Sequence, residues 1–413
     1  MDTLQPHLNH PVKTLRFKSY LGYVGFALIW VKYIIWPGDF LGHCEMQADM
    51  VSAKPKITWK TVVMPLIGIA AFIVYLYLFQ VDIPEVIATV QTADMRLYFL
   101  AALLVFVDTF LYAMAWRILL TFLSVKLSVL KAYLYVWYGT FIDLIIPAES
   151  VSGEISRAYL ITREQGNGVS GKVIASLVAH RLISMGVGVT TITVGVGLLL
   201  MEASLNSLVF NLSLFLIGAT LFFLVLLLLL CTKKEWTLRV IDYVLGIVEH
   251  LSRGRWRLTK FRNDIARTAE MFHDSMREFG RSPKVVAFAM FLSSLSWLSY
   301  LVISYMVFLS IKFPDGSLMT SFRLWSVILV TQAIVSAIKS IPMGIPFEVG
   351  LPEITMTTLY GVLGVPMGVS ATATILNRIL TVWLRFFVGF AVQQWVEFKA
   401  IKTSITMNLT EKT

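Results

Sequence analysis

Glu154 and Arg157 stand three residues apart in the stretch Pro147-Ala-Glu149-Ser-Val-Ser-Gly153-Glu154-Ile-Ser-Arg157-Ala-Tyr-Leu160. If residues 153–164 are helical, the carboxylate and the guanidinium share one helix face. A guanidinium grips a phosphate through two parallel hydrogen bonds, which an ammonium does not. Arg181 and Arg378 sit in later apolar runs and could converge with Arg157. Such a cluster suits an anionic phospholipid or polyprenyl-phosphate head group, with Glu149, Glu154 and Glu348 balancing the positive charge. Glu154–Arg157 and Asp108–Arg181 can equally be read as structural ion pairs that set helix register. Asp108, Asp143 and Lys339 are further ionisable groups inside apolar runs and are candidates for gating or proton relay. Arg117, Lys131 and Arg385 lie near the ends of such runs and read as side chains that snorkel to head groups. His180 has Ser176 and Ser184 four residues to either side. It is a candidate member of the binding cluster, and its other readings are hydrogen-bonded structure and a proton relay. No second His, Cys or carboxylate on its helix has metal-ligand spacing, so no metal site is expected. No phosphate-cradling glycine loop or nucleophile elbow is visible, which argues against an ATP-driven pump and against soluble-type hydrolase chemistry. The expectation is a non-enzyme without a cofactor.

The elements that must carry these residues are membrane helices. Of 413 residues, 57% are hydrophobic and 15% charged, against about 25% charged in soluble domains. The deficit comes from separate uncharged runs of spanning length, so the fold class is an all-α polytopic membrane protein. The net charge of +10 sits mainly beside the apolar runs, where it sets orientation and meets lipid head groups, so nucleic acid is not expected. The two cysteines, Cys44 and Cys231, suggest neither a disulfide nor a metal site.

Charge placement sets the topology. Residues 62–80 form a span preceded by Lys54, Lys56 and Lys60, which puts that end in the cytoplasm. Residues 97–123 return inward. Residues 132–147 are apolar but short, and stop at Pro147. Residues 173–201 and 206–231 are full spans, and residues 232–284 carry 12 Lys+Arg against 7 Asp+Glu. That basic loop must be cytoplasmic, so residues 148–172 and 124–131 lie on one side. The apolar segment between them therefore enters and leaves by the same face, as a re-entrant helix buried in protein or lining a wet cavity. Within the basic loop, Val240, Val244, Ile247 and Leu251 form one apolar face, with another from Leu258 to Met276. An amphipathic helical pair on the bundle and a solvated linker are both consistent with that pattern. Residues 285–311 and 365–396 span, and residues 324–341 either re-enter from outside or cross together with 348–364.

The two halves are alike. Ile146-Pro147, Glu154, Gly168-Val-Ser170 and Arg181 are matched by Ile341-Pro342, Glu348, Gly368-Val-Ser370 and Arg378. The inferred orientations are opposite, so the expected architecture is a helical bundle with two re-entrant or broken helices in an inverted-topology repeat. Such repeats place a substrate site near the midplane at their interface. The domain reading is an N-terminal extension at 1–49, a first membrane half at 50–231, a cytoplasmic loop at 232–284, a second half at 285–398 and a cytoplasmic tail at 399–413.

The stretch from Ile146 to Leu160, the His180-Arg181 helix, Ile341-Pro-Met-Gly-Ile-Pro-Phe-Glu348 and Asn377-Arg-Ile-Leu-Thr-Val-Trp383 together resemble the lysylphosphatidylglycerol synthase/flippase transmembrane family over residues 55–398. This is the membrane half of the multiple peptide resistance factor proteins. Gly153, Glu154 and Arg157 are the strongest part of the likeness, while Met343 and Pro346 stand where the family's second element has glycines. The resemblance implies lipid translocation without the aminoacyl-transferase domain of the full-length proteins. It implies a multi-pass protein of the cell membrane with membrane lipids as partners. A homo-oligomer and a separate lipid-modifying enzyme or glycosyltransferase are further partners to consider. The alternative is a membrane enzyme or accessory subunit acting on polyprenyl-phosphate lipids.

Overall fold

The computed structural model describes Tyr77 and residues 83–146, 151–202, 206–251, 259–314, 319–339 and 350–410. Residues 1–49, most of the 62–80 span, the breaks at Pro147 and Pro342, and the candidates Glu149 and Glu348 lie outside the described residues. Every element described is helical. In chain order these are α1 Ile83–Gln91, α2 Met95–Phe122, α3 Val129–Ile145, α4 Val151–Gln165, α5 Ser170–Met201, α6 Ser207–Thr232, α7 Lys234–Leu251, α8 Thr259–Arg281, α9 Pro283–Ser310, α10 Ser321–Lys339, α11 Leu351–Val362, α12 Met367–Arg378 and α13 Arg385–Thr410. A π-helical turn, Ile379–Leu384, joins the last two. Among the described residues six helical stretches are long and apolar enough to cross a membrane. This is an all-α, multi-pass membrane protein.

The centre of the bundle is an antiparallel pair, α2 and α9. Asp94 caps α2 and takes a hydrogen bond from the Arg96 N–H; its own N–H reaches the Ser310 carbonyl at 2.7 Å. Midway, Ser296 donates to Asp108 at 2.6 Å. At the far end Phe122 stacks on Phe279, just before α9 begins.

Each end of this pair receives a helical hairpin. At the Phe122 end, α3 goes in and α4 comes back. Lys131 near the start of α3 meets Glu164 near the end of α4 at 2.9 Å, and Gln165 donates to the Lys126 carbonyl at 2.7 Å. The tips meet where Asp143 accepts from Ser152 and Gly153. At the Ser310 end, α10 goes in and α11 comes back: Tyr305 of α9 stacks on Trp325, Gln332 pairs with Tyr360, and Arg323 reaches the Leu363 carbonyl. Helix α11 has 12 residues, a rise of about 18 Å, which is short of a bilayer core. The α10–α11 unit is a helical hairpin whose first arm, α10, is by length and composition able to cross a membrane. The two hairpins enter from opposite ends, as an inverted repeat requires.

Exchange between the halves completes the bundle. Helix α5 follows the first hairpin but packs on the second. A side chain at Gly195 would come within 2.7 Å of Val330. Helix α13 follows the second hairpin but packs on the first, and a side chain at Gly389 would come within 2.8 Å of Phe141. Both contacts let helices approach at backbone distance, as small residues do in membrane interfaces. Helix α6 buries only Val209, Ser213, Leu216 and Cys231 and presents its remaining apolar side chains outward, as a lipid-facing helix does. At the Phe122 end, α8 lies against α5, where Gly171 faces the Thr268 carbonyl and Met271. Its Ala269, Ser275 and Phe279 are buried.

Candidate functional site

The first hairpin builds its polar cluster around Arg157. Helix α4 has no side-chain cap of its own among the described residues. Asp143 supplies one from the facing helix: its Oδ1 accepts from the Gly153 N–H and the Ser152 hydroxyl, both at 2.6 Å. A carboxylate there satisfies first-turn N–H groups and complements the helix dipole. Gly153 is required by the same contact, because a Cβ at that position would sit 2.5 Å from the Gly139 carbonyl and strike the Asp143 carboxylate. Asp143 is therefore a helix-capping group in this structure, where the sequence suggested a gate or relay.

The tight crossing of α3 and α4 aims Arg157 at α2. Its guanidinium carbon stands 5.0 Å from the Trp116 ring and 5.6 Å from the Tyr112 ring. Its Nε reaches the Gly153 carbonyl at 3.4 Å. Arg157 is 4% exposed, and among the described residues its Nη1 has no hydrogen-bond partner. Stacking on aromatic faces holds a cation at modest desolvation cost, but a buried N–H without an acceptor is costly and calls for an explanation. Around this cation, Trp116 donates to Ser176 at 3.2 Å. His180 meets Tyr112 edge to face at 4.4 Å and lies 3.4 Å from the Ser293 hydroxyl.

Two pairings differ from the sequence expectation. Glu154 forms its ion pair with Arg181, at 4.0 Å, and not with Arg157, whose side chain turns to the aromatic rings. Asp108 is buried and pairs with Arg385, with Ser296 as its second donor; Arg181 is elsewhere. Arg385, read as a snorkelling side chain, is thus half of a midplane ion pair, and it also stands 6.0 Å from the Tyr300 ring. The cause is the packing of the Ile379–Leu384 turn, just before Arg385, against α2, which the local sequence does not reveal.

In the second half, Arg378 pairs with Glu353 at 2.6 Å. Glu353 also accepts the Gly350 N–H at 2.7 Å, closing the first turn of α11. Gly350 has φ of 104°, a conformation open to glycine. Sequence reasoning missed Glu353 and chose Glu348. The signal was present: Glu154 precedes Arg181 by 27 residues and Glu353 precedes Arg378 by 25. Arg181 lies eleven residues past the start of α5 at Ser170, and Arg378 eleven past the start of α12 at Met367. Buried polar groups surround this pair. Thr357 bonds Thr374 and Ser304 bonds Asn377. Lys339 is the last residue of α10, beside the undescribed tip of the second hairpin. The structure brings Glu154, Arg157, His180 and Arg181 together and places Arg378 in the second cluster. Among the described residues no group of His, Cys, Asp and Glu could hold a metal ion.

The pattern described as the lysylphosphatidylglycerol synthase TM region matches residues 65–389, most of the chain. The chain belongs to that family. Within it, similar curated proteins come from archaea. A UPF0104 membrane protein of Pyrococcus horikoshii is 24% identical over 332 residues, covering 78% of this chain and 94% of the relative. A UPF0104 membrane protein of Methanothermobacter thermautotrophicus is 24% identical over 321 residues, covering 74% and 87%. In this family member the matched region takes in both hairpins and all three ion pairs that join Glu154, Glu353 and Asp108 to arginines.

Proposed function

We propose that this protein translocates a lipid with an anionic head group, a phospholipid or a polyprenyl-phosphate-linked lipid, between membrane leaflets. The observation that carries the reading is Arg157: a buried, aromatic-stacked guanidinium at a re-entrant hairpin, with an Nη1 that lacks an acceptor. A phosphate oxygen is the acceptor that fits such a group best. An intramembrane arginine that, among the described residues, has no carboxylate within ion-pair distance supports a substrate-path role over a structural one. Glu154–Arg181, drawn out to 4.0 Å and part-exposed, is the neighbouring pair that an incoming head group would open. In this reading the protein moves lipid without altering it, and a separate lipid-modifying enzyme or glycosyltransferase makes or uses what it carries. It resides in the cell membrane with the α13 end in the cytoplasm, the side of the basic α7–α8 segment.

The test is a vesicle assay with the purified full chain and a fluorescent phosphatidylglycerol, read by dithionite quenching. Arg157→Ala is expected to reduce translocation about tenfold or more while keeping its elution profile. Wild-type rates in that variant would remove Arg157 from the path.

A further inference from the structure

A second polar site lies at the mouth of the first hairpin, one residue along the chain from the Arg157 cluster. Arg117, Thr121, Lys126, Leu127, Ser128 and Lys131 line an open pocket of about 400 Å³ where α2 ends and α3 begins. Trp116 and Arg117 are neighbours that face different ways: Trp116 lies under Arg157, and Arg117 lines the pocket. The Leu127 carbonyl takes the Arg117 Nε at 2.8 Å. This fixes the guanidinium plane, and no acceptor among the described residues takes its terminal nitrogens. Lys126 projects beside it. Lys131 is held by Glu164 at 2.9 Å, so three cations face one carboxylate. The pocket also meets the N-terminus of α3. There the Ser128 hydroxyl accepts from the Lys131 N–H, and the first helical bond is the Ala132 N–H to the Ser128 carbonyl. The N–H groups of Val129 and Leu130 are left for an anion.

We infer that this pocket docks the phosphate of a membrane-lipid head group, at a site distinct from the Arg157 cluster. Charge and donor geometry identify the phosphate. The surroundings identify a lipid as its source. The pocket sits at the end of a spanning helix, and the adjoining Val129 and Leu130 expose their apolar side chains. Acyl chains hanging from a phosphate at that level cover those side chains, whereas a water-soluble phosphate leaves them bare. A uniform basic surface would attract anionic lipid anywhere along the bundle end; here Arg117 is oriented by its own backbone bond and set opposite a helix N-terminus.

The experiment counts phosphatidylglycerol retained by the full chain in native mass spectrometry as that lipid is titrated into the micelles. It reads binding alone, so its result stands apart from that of the translocation assay. Arg117→Gln with Lys126→Gln is expected to weaken retention about tenfold, and exposed Lys126→Gln alone by about threefold. Lys284→Gln removes one charge at the same end of the bundle and is expected to leave retention unchanged. Glycerol 3-phosphate in excess is expected not to displace the lipid. Full retention in the double variant with an unchanged elution profile overturns the site. Equal loss in Lys284→Gln reduces it to general electrostatics. Displacement by glycerol 3-phosphate assigns the pocket to soluble phosphates and overturns the lipid assignment.

Discussion

The two Glu–Arg pairs occupy corresponding places in the repeat but differ in tightness. Glu353–Arg378 closes at 2.6 Å with side chains 4% and 8% exposed. Glu154–Arg181 stretches to 4.0 Å with side chains 22% and 29% exposed. Arg157 of the first hairpin and Arg323 of the second each keep a buried nitrogen without a partner among the described residues, but Arg157 stands against Trp116 and Tyr112 and Arg323 reaches the Leu363 carbonyl. One architecture has thus been used twice with different electrostatic completion. The second pair is closed and buried, and the first is open and part-exposed.

The comparison can be broken most directly at Glu353. Glu353→Gln leaves Arg378 buried without its counter-charge, and the loss is expected to be about 3–5 kcal/mol. Thermal unfolding in detergent measures it. Glu353→Leu with Arg378→Met removes both charges and is expected to recover most of that loss. If the double variant is no better than the single one, the pair is not the origin of the effect. Next in size is Gly153→Ala, whose Cβ meets the backbone carbonyl of Gly139 and the Asp143 carboxylate. Overpacking against backbone is expected to cost about 1–3 kcal/mol. Gly389→Ala, at the looser α13 crossing where the nearest atom stands at 2.8 Å, is expected to cost less in the same unfolding measurement.

Glu154→Gln sharpens the contrast. Its pair is long and part-exposed, so the stability change is expected to stay within about 1 kcal/mol, while fluorescent-lipid translocation falls. A large unfolding shift would make the two pairs alike. Smallest of all is the surface pair of Lys234 with Glu270 at 2.8 Å. The Lys234 ammonium, by hydrogen bond and charge, holds the Glu270 carboxyl below its ordinary range. A depressed carboxylate contributes stability above its unfolded pKa and loses it as pH falls through the folded value. Both charges are largely exposed, so unfolding scans from neutral to acidic pH are expected to differ barely between wild type and Glu270→Gln.

Much of this fold was legible because lipid imposes few options. Uncharged runs flanked by lysine and arginine mark α2, α5, α6 and α9 within a few residues of their ends. The first hairpin followed from the basic loop after α6, since an even number of crossings was required on either side of it. Charge partners were less legible. Arg385 meets a carboxylate 277 residues away, a distance over which helix periodicity carries no information. Trp116-Arg117 read as a helix end, because one-dimensional order does not show that adjacent side chains serve an interior cluster and a surface pocket. Glu353 differs again: Glu348 is the carboxylate nearest Pro342, but the helix N-terminus that Glu353 closes starts later, at Leu351. Between the 62–80 span and α2 the hydropathy pattern marks no element, yet the structure has α1 there.

The π-helical turn at Ile379–Leu384 has a consequence for how this chain tolerates changes in length. Arg378 and Arg385 are seven residues apart, nearly two full turns, so an unbroken α-helix would point both the same way. The π turn holds one residue more than an α turn and rotates Arg385 about a third of a revolution, away from Glu353 and toward Asp108. Because the turn holds one residue more than α geometry needs, deleting one residue from it and closing it to a regular α turn keeps Arg385 about a third of a revolution from Arg378. The segment is thus where the helix absorbs a change of length: one residue fewer leaves both arginines aimed as they are, whereas regular α geometry at the present length would set them on one side of the helix.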